Sequence, residues 1–358
     1  MTSLRLLADD LTGALDTAAE LVGLVGPVPV FWHGAIPSVL PASAALDSGT
    51  RELGRLPAAA IVSGLAVHLP GASIAYKKID SLLRGPALAE LAACMRAGGW
   101  RHCVLAPAFP YQGRATRGGR QHARNGEGRW SGVSGDLVAA LRAEGVEAQA
   151  GRLDADLRPG VSVFDAETDD DLRRVVATAR RWQGPMLWSG SGGLAQALAA
   201  GAEASAPQAL PAPVLGLFGS DQAATAGQLA ACAPYWVALP ATVEVERRLA
   251  ADGVALASVD LPPGLARGDA AQRIAAELTS LTRQMPPPGT LLAAGGETLR
   301  RLCTSLGARR LEVQGRVAPG LPWSIMRGGR WDGATVVSKS GAFGHRTLLR
   351  DLILERTR

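Results

Sequence analysis

Short apolar runs of strand length alternate with helical stretches from one end of this 358-residue chain to the other, and that alternation restricts the fold more than any other feature. Such a pattern argues for α/β layering around parallel sheets. The strand candidates of the front half are Leu4–Ala8, Val28–Trp32, Ala59–Val62, Ile74–Ile79, His102–Ala106, Val161–Asp165 and Pro185–Trp188. Helical candidates between them include Thr12–Leu24, Ala87–Ala97, Gly135–Glu144 and Asp169–Trp182. Ala199–Pro213 lacks periodicity and reads as a linker. A fresh alternation then runs Pro213–Phe218, Trp236–Leu239, Thr242–Asp252, Ala270–Arg283, Thr290–Ala294, Thr298–Leu306 and Ala334–Ser338. Two domains follow, residues 1–205 and 212–358, a number that fits the length. The predicted fold class is α/β, each domain with a mostly parallel sheet flanked by helices and the active site in the cleft between domains.

Chemistry collects where strands stop. In open α/β sheets, ligands sit beyond the carboxyl ends of strands. The first run, Leu4–Ala8, stops at the acid pair Asp9-Asp10 before Leu11-Thr-Gly-Ala-Leu-Asp16. Two acids there suit a polyol, a cation or a proton. One of them could instead cap the next helix, yet a cap needs only one acceptor. Lys78, Asp80 and Arg84 follow the run Ile74–Ile79, and strand alternation sets Lys78 and Asp80 opposite Lys77 and Ile79. An arginine there can fork onto a carboxylate or phosphate, or the group could be a surface salt bridge. The third exit, Pro107-Ala-Phe-Pro-Tyr-Gln112-Gly113-Arg114, is a rigid loop offering amide and guanidinium groups. By contrast, Asp165-Ala-Glu-Thr168-Asp-Asp-Asp171 precedes a helix and reads as caps.

The back half carries glycine turns after its strands: Gly219-Ser220-Asp221, Gly295-Gly296-Glu297-Thr298, Pro319-Gly320, and Lys339-Ser340-Gly341-Ala-Phe-Gly344. Backbone amides in such turns bind phosphate without a side-chain charge, and Lys339 could neutralise a terminal phosphate. Tight turns alone would also explain them. Neither a Gly-x-x-x-x-Gly-Lys-Ser/Thr loop nor a Gly-x-Gly-x-x-Gly after a strand occurs, so an NAD-dependent dehydrogenase is disfavoured. Gly190-Ser-Gly-Gly193 misses the spacing of a serine-hydrolase elbow.

Other classes recede on composition. The formal net charge of +5 is mild and scattered, which makes a nucleic-acid platform a weak reading. No apolar run reaches the length of a membrane span and no secretory leader is visible, so a cytoplasmic, membrane-free enzyme is expected. Four scattered cysteines and five histidines lack metal-ligand spacing; no metal ligand from the protein is assigned.

Taken in order, these segments resemble the four-carbon acid sugar kinase family. The matching pieces are Ala8-Asp-Asp-Leu-Thr-Gly-Ala14 with Asp16, Lys77-Lys-Ile-Asp-Ser-Leu-Leu-Arg-Gly85, Ala106-Pro-Ala-Phe-Pro-Tyr-Gln-Gly-Arg114, Gly119-Arg-Gln121, Asp165-Ala-Glu-Thr-Asp169, Gly190-Ser-Gly-Gly-Leu-Ala195, Gly295-Gly-Glu-Thr298, Ala318-Pro-Gly-Leu-Pro322 and Lys339-Ser-Gly-Ala-Phe-Gly344. They span nearly the whole chain. The resemblance implies an ATP-dependent kinase for threonate, erythronate or 3-oxo-tetronate, acting at the 4-hydroxyl with magnesium, in an N-terminal acid-sugar domain and a C-terminal nucleotide domain. It implies Asp9 or Asp10 as the base, with Lys78, Asp80, Arg84, Gln112, Gly113 and Arg114 lining the sugar site. Ser220, Gly295, Gly296, Glu297, Thr298, Pro319, Gly320, Lys339, Ser340, Gly341 and Gly344 would surround ATP. A homodimer is the assembly considered. The chain departs from the family at His122–Trp130 and at Gly219-Ser-Asp221, where a Ser-Gly-Ser type sequence is expected. A two-lobed binding protein without catalysis is the alternative.

Overall fold

The first strand, β1 (Leu4–Ala8), is buried along nearly its whole length and sits inside a parallel sheet. In this computed structural model residues 2–202, 206–207, 209–219, 222–262 and 264–356 are described. Two compact units divide the chain, Met1–Ala204 and Ser205–Arg358.

The first unit continues with α1 (Leu11–Val25), β2 (Val28–Trp32), β3 (Ala44–Asp47), α2 (Arg55–Ala66), β4 (Ile74–Lys78), α3 (Ala87–Gly98), β5 (His102–Ala106), β6 (Arg114–Arg117), β7 (Arg120–Arg124), β8 (Trp130–Asp136), α4 (Leu137–Ala143), β9 (Ala148–Ala150), β10 (Gly160–Val163), α5 (Asp169–Ala179), β11 (Leu187–Gly190) and α6 (Gly192–Leu198). Strand order is β2-β3-β1-β4-β11-β5-β10-β9, every pair parallel. One face packs on α2, α3 and α4 through Leu7, Leu46, Val62, Leu91, Leu105 and Leu141. The other carries α1, α5 and α6, with α6 packed on both of its neighbours. Both faces covered is what a parallel sheet requires, and each leucine fully buried there contributes about 1.5–3 kcal/mol. The chain leaves β1 toward β2 and β3 on one side and returns to β4 on the other. The crevice of the switch point therefore opens at the carboxyl ends of β1 and β4.

One expectation fails here and one strand was not foreseen. Ala59–Val62 is the middle of helix α2, not a strand. Ala44–Asp47 is a strand. A run of small apolar residues satisfies both periods, and tertiary context decides. The stretch Arg114–Asp136 forms an antiparallel three-stranded sheet, β6-β7-β8, which takes in the atypical His122–Trp130 run.

The second unit runs β12 (Val214–Phe218), α7 (Ala223–Ala231), β13 (Trp236–Leu239), α8 (Thr242–Asp252), β14 (Val254–Val259), α9 (Arg267–Gln284), β15 (Thr290–Ala294), α10 (Gly296–Ser305), β16 (Arg310–Ala318), β17 (Leu321–Arg327), β18 (Thr335–Lys339) and α11 (Leu348–Arg356). Its order is β13-β14-β12-β15-β18-β17-β16; the first five are parallel, and β17 and β16 are antiparallel. Helices α7 and α11 pack together, as do α9 and α10. The register aligns Phe218 with Ala294 and Ala294 with Lys339, so three strands end in one row.

Candidate active site

Asp10 does cap α1: its Oδ1 accepts from the Gly13 amide at 2.8 Å. That leaves the second acid to explain, and the structure does so with a residue the sequence did not mark. Arg51, in the loop after β3, donates Nε and NH2 to the two oxygens of Asp9 at 2.7 and 3.0 Å and NH1 to Asp10 Oδ2 at 2.6 Å. Its NH2 also lies 3.7 Å from Asp80 Oδ1. One guanidinium thus gathers three carboxylates from two strand exits. A faint signal existed: Ala44-Ala-Leu-Asp47 repeats the pattern of β1, an apolar run ending in an acid, and Arg51 follows it.

The two acids differ electrostatically. Burial pushes the Asp9 carboxyl up, but Arg51, with Lys78 behind it, overrides burial and holds Asp9 below the usual carboxylate range. Burial also pushes Asp10 up; Arg51 opposes this, the neighbouring Asp9 charge reinforces it, and Asp10 ends above its ordinary value. Both Asp9 oxygens are engaged by the Arg51 fork and only 3% of the residue is exposed. Asp10 is more open, with 19% of its side chain exposed. A carboxylate has about four acceptor sites, and Asp10 uses one on the Gly13 amide and one on Arg51.

Asp80 accepts from the Leu82 and Arg84 amides and from Arg84 Nε and NH2 at 2.8 and 2.6 Å. Burial alone would raise its pKa, yet the Arg84 hydrogen bonds and the charges of Arg51, Arg84 and Lys78 hold it far below the ordinary range. Gly85 closes this turn with φ of 72°, and a Cβ there would stand 2.4 Å from the Arg51 carbonyl. Only glycine permits both the left-handed backbone and that approach. Lys78 Nζ is buried on the Ile79 carbonyl at 2.8 Å. Arg114 donates NH1 to the Gln112 and Gly113 carbonyls, while its Nε is buried without a partner among the described residues. Burial lowers its pKa, and the nearby Asp80 charge partly offsets that. Gln121 ties the exits together, donating to the Ser81 and Pro107 carbonyls at 2.9 and 3.2 Å. The structure therefore gathers Asp9, Asp10, Lys78, Asp80 and Arg84 around Arg51, with Arg114 in electrostatic reach and Gln112 and Gly113 orienting it. Four cations face three carboxylates, a surplus of positive charge suited to an anionic polyol.

Two neighbouring motifs are structural. Ser191 caps α6 and donates Oγ to the Ala108 carbonyl at 2.7 Å, so it is no exposed nucleophile. Thr168 and Asp171 form a capping box on α5, while Asp165 accepts from the Gly118 and Gly119 amides.

In the second unit, the row of strand ends places Phe218, Ala294 and Lys339 side by side, with Gly219 and Gly295 one residue beyond. Gly295, at φ 93°, opens α10 and donates its amide to the Lys339 carbonyl at 3.0 Å. Glu297 turns back onto Arg300 and Arg301, and Thr298 Oγ1 lies 2.6 Å from where a Gly219 Cβ would stand. Pro319 and Gly320 make the β16–β17 turn; Gly320 has φ of 75°, as a type II turn demands. A Cβ on Gly320 would stand 2.6 Å from the Phe343 ring, which puts the turn against the 340–344 loop. Ser220 lies outside the described residues.

Lys339 is buried, and its Nζ points into its own loop. It donates to Thr225 Oγ1 at 3.1 Å and to the Ser340, Gly341 and Phe343 carbonyls at 3.0, 3.4 and 3.1 Å. Burial lowers its pKa to about 8. Thr225 and Gln228 of α7, unmarked in the sequence, hold the same loop through the Gly341, Phe343 and His345 carbonyls. Carbonyls turned inward leave the Gly341, Ala342 and Gly344 amides without acceptors among the described residues. Lys339 thus shapes the loop with its ammonium as well as charging it.

Comparisons with known proteins give this geometry its context. A family model described as a sugar-binding N-terminal domain matches residues 4–140 and 128–198, and one described as a nucleotide-binding C-terminal domain matches 241–349. A D-threonate kinase of Cupriavidus necator is 34% identical over 96% of this chain and 95% of its own length. The chain belongs to the four-carbon acid sugar kinase family. D-threonate kinases of Bordetella bronchiseptica and Salmonella typhimurium are 29% and 26% identical, each aligned over more than nine-tenths of both chains. Solved structures from Salmonella typhimurium LT2 (TM-score 0.77, 20% identity, 98% of each chain) and Haemophilus influenzae (TM-score 0.68, 18% identity, 97% and 98%) share its fold. This family member is a sugar-acid kinase with a nucleotide-binding domain. Among the described residues no helix is long and apolar enough to cross a membrane.

Proposed function

We propose that this kinase transfers the γ-phosphoryl group of ATP to the 4-hydroxyl of a four-carbon sugar acid of the threonate type, with Asp10 as the general base. The observation that carries the reading is the split between the paired acids. Arg51 clamps Asp9 with its pKa lowered and leaves Asp10 partly open, with a raised pKa and unused acceptor sites. A carboxylate more basic than its neighbour, with lone pairs free, is what a proton-accepting role requires.

The surplus positive charge of the site supports an acid rather than a neutral sugar. The substrate carboxylate is assigned to Arg84 and Arg114, its hydroxyls to Asp80 and Lys78, and the attacking hydroxyl to Asp10. The nucleotide phosphates are assigned to the Gly341, Ala342 and Gly344 amides, the first turn of α10 and the charge of Lys339, beside Pro319 and Gly320. Phosphoryl transfer needs this positioning and charge neutralisation more than covalent help. Magnesium arriving on ATP would neutralise its phosphates. The test is turnover with magnesium-ATP across four-carbon acids, followed by NMR of the product. Phosphorylation of D-threonate at the 4-hydroxyl is expected. No turnover with any such acid, or phosphate on another oxygen, would overturn the assignment.

A further inference from the structure

Beneath the acid pair lies a buried ion pair that the reaction does not touch. Lys77 and Glu90 are 0% and 1% exposed, and Lys77 Nζ meets Glu90 Oε2 at 2.8 Å and the Lys78 carbonyl at 3.0 Å. The other Glu90 oxygen accepts from Thr50 Oγ1 at 2.6 Å. The Thr50 hydroxyl gives its only proton to Glu90, and Ser48 Oγ, 2.7 Å from it, has one proton to share between Thr50 Oγ1 and the Ala8 carbonyl at 2.9 Å. The Thr50 and Arg51 amides both donate to the Asp9 carbonyl, at 3.0 and 3.2 Å. The hydrogen bonds from α3 and β4 thus end on Thr50, which is joined through the backbone to Arg51, the residue that clamps both acids.

We propose that Lys77, Glu90 and Thr50 are positioning residues: the buried pair fixes Thr50, and Thr50 fixes the loop that aims Arg51 at Asp9 and Asp10. The inference rests on Asp10 being the base. Stability gives no good reason for the pair, because a well-packed apolar replacement of a buried ion pair is often as stable or more so. Apolar side chains, however, cannot direct the Thr50 hydroxyl.

The expected consequences separate positioning from folding. Thr50→Val loses one hydroxyl and keeps the shape; kcat should fall on the order of 10²-fold, as misplacement by about an ångström does, with KM for ATP unchanged. Thr50→Ser should restore it. The paired change Lys77→Met with Glu90→Leu should melt at or above the parent temperature and lose kcat similarly. Asp10 is faced by Arg51 from the loop after β3, Asp9 beside it, Lys78 on β4 and, more weakly, Arg84. Displacing Arg51 removes the largest influence holding Asp10 down, so the acidic limb of the kcat profile should move to higher pH in Thr50→Val. Parental kcat and an unmoved acidic limb in Thr50→Val overturn the inference, whether or not the double variant folds. Asp10→Asn serves as the control: if it keeps turnover, the base assignment is wrong, whereas if it loses turnover and Thr50→Val does not, only the positioning role is wrong.

Discussion

Asp9 and Asp10 share a loop and an arginine, yet opposite consequences follow from removing them. Asp9 is buried in a two-bond fork, so Asp9→Asn leaves Arg51 short of a partner; breaking such a pair costs about 3–5 kcal/mol. A depressed carboxylate gives stability that is present above its unfolded value of 3.8 and lost as pH falls through the folded value. Asp9→Asn should thus lower the denaturation midpoint at neutral pH, and the deficit should shrink toward acid. Lys339 titrates in the other direction. Its folded value of about 8 lies below the ordinary 10.5, so between them the unfolded chain binds more protons, and this residue's contribution to stability rises with pH. Phosphate favours the charged form, so ATP affinity should fall as pH rises through about 8. Calorimetric titration of ATP between pH 7 and pH 9.5 checks this: affinity independent of pH in the parent would contradict it.

At the scale of elements, Asp10 combines a cap with the proposed base, whereas the acids of α5 are caps alone. The acids before α5 belong to a capping box, and Thr168→Ala should cost about 0.5–2 kcal/mol of stability with kcat unchanged; a chemical denaturation curve beside a turnover assay reads both. Strand exits were legible in the sequence because a parallel strand ends abruptly, and Asp9-Asp10, Asp80 and the glycine turns mark the break. Arg51 was not legible, because β3 is the short run Ala-Ala-Leu-Asp, with little β-propensity, and nothing labels the loop behind it. Helix α2 was misread for a related reason: Ala-Ala-Ile-Val is apolar throughout and carries no period to separate helix from strand. Thr225 and Gln228 escaped notice because the value of a polar side chain in an alanine-rich helix depends on which loop packs over it.

Over the whole molecule, the order of motifs along the chain carried the family, while the direction in which each charged atom points required the fold. Lys339 illustrates the gap: its place after a strand suggested a phosphate contact, and the structure turns its ammonium onto the carbonyls of its own loop. On the proposed reading the sugar acid belongs to the unit Met1–Ala204 and the nucleotide to the unit Ser205–Arg358. Hydrogen exchange should accordingly show ATP protecting 295–298 and 340–344, and D-threonate protecting 9–13, 48–51 and 80–85; protection of one set by both ligands alike would oppose that assignment. The most direct test of the account is the turnover of Asp10→Asn with magnesium-ATP and D-threonate. Asparagine still caps α1, so folding and ATP affinity should persist while kcat falls about 10²–10⁴-fold. A variant that turns over at the parental rate would show that Asp10 is a cap and nothing more.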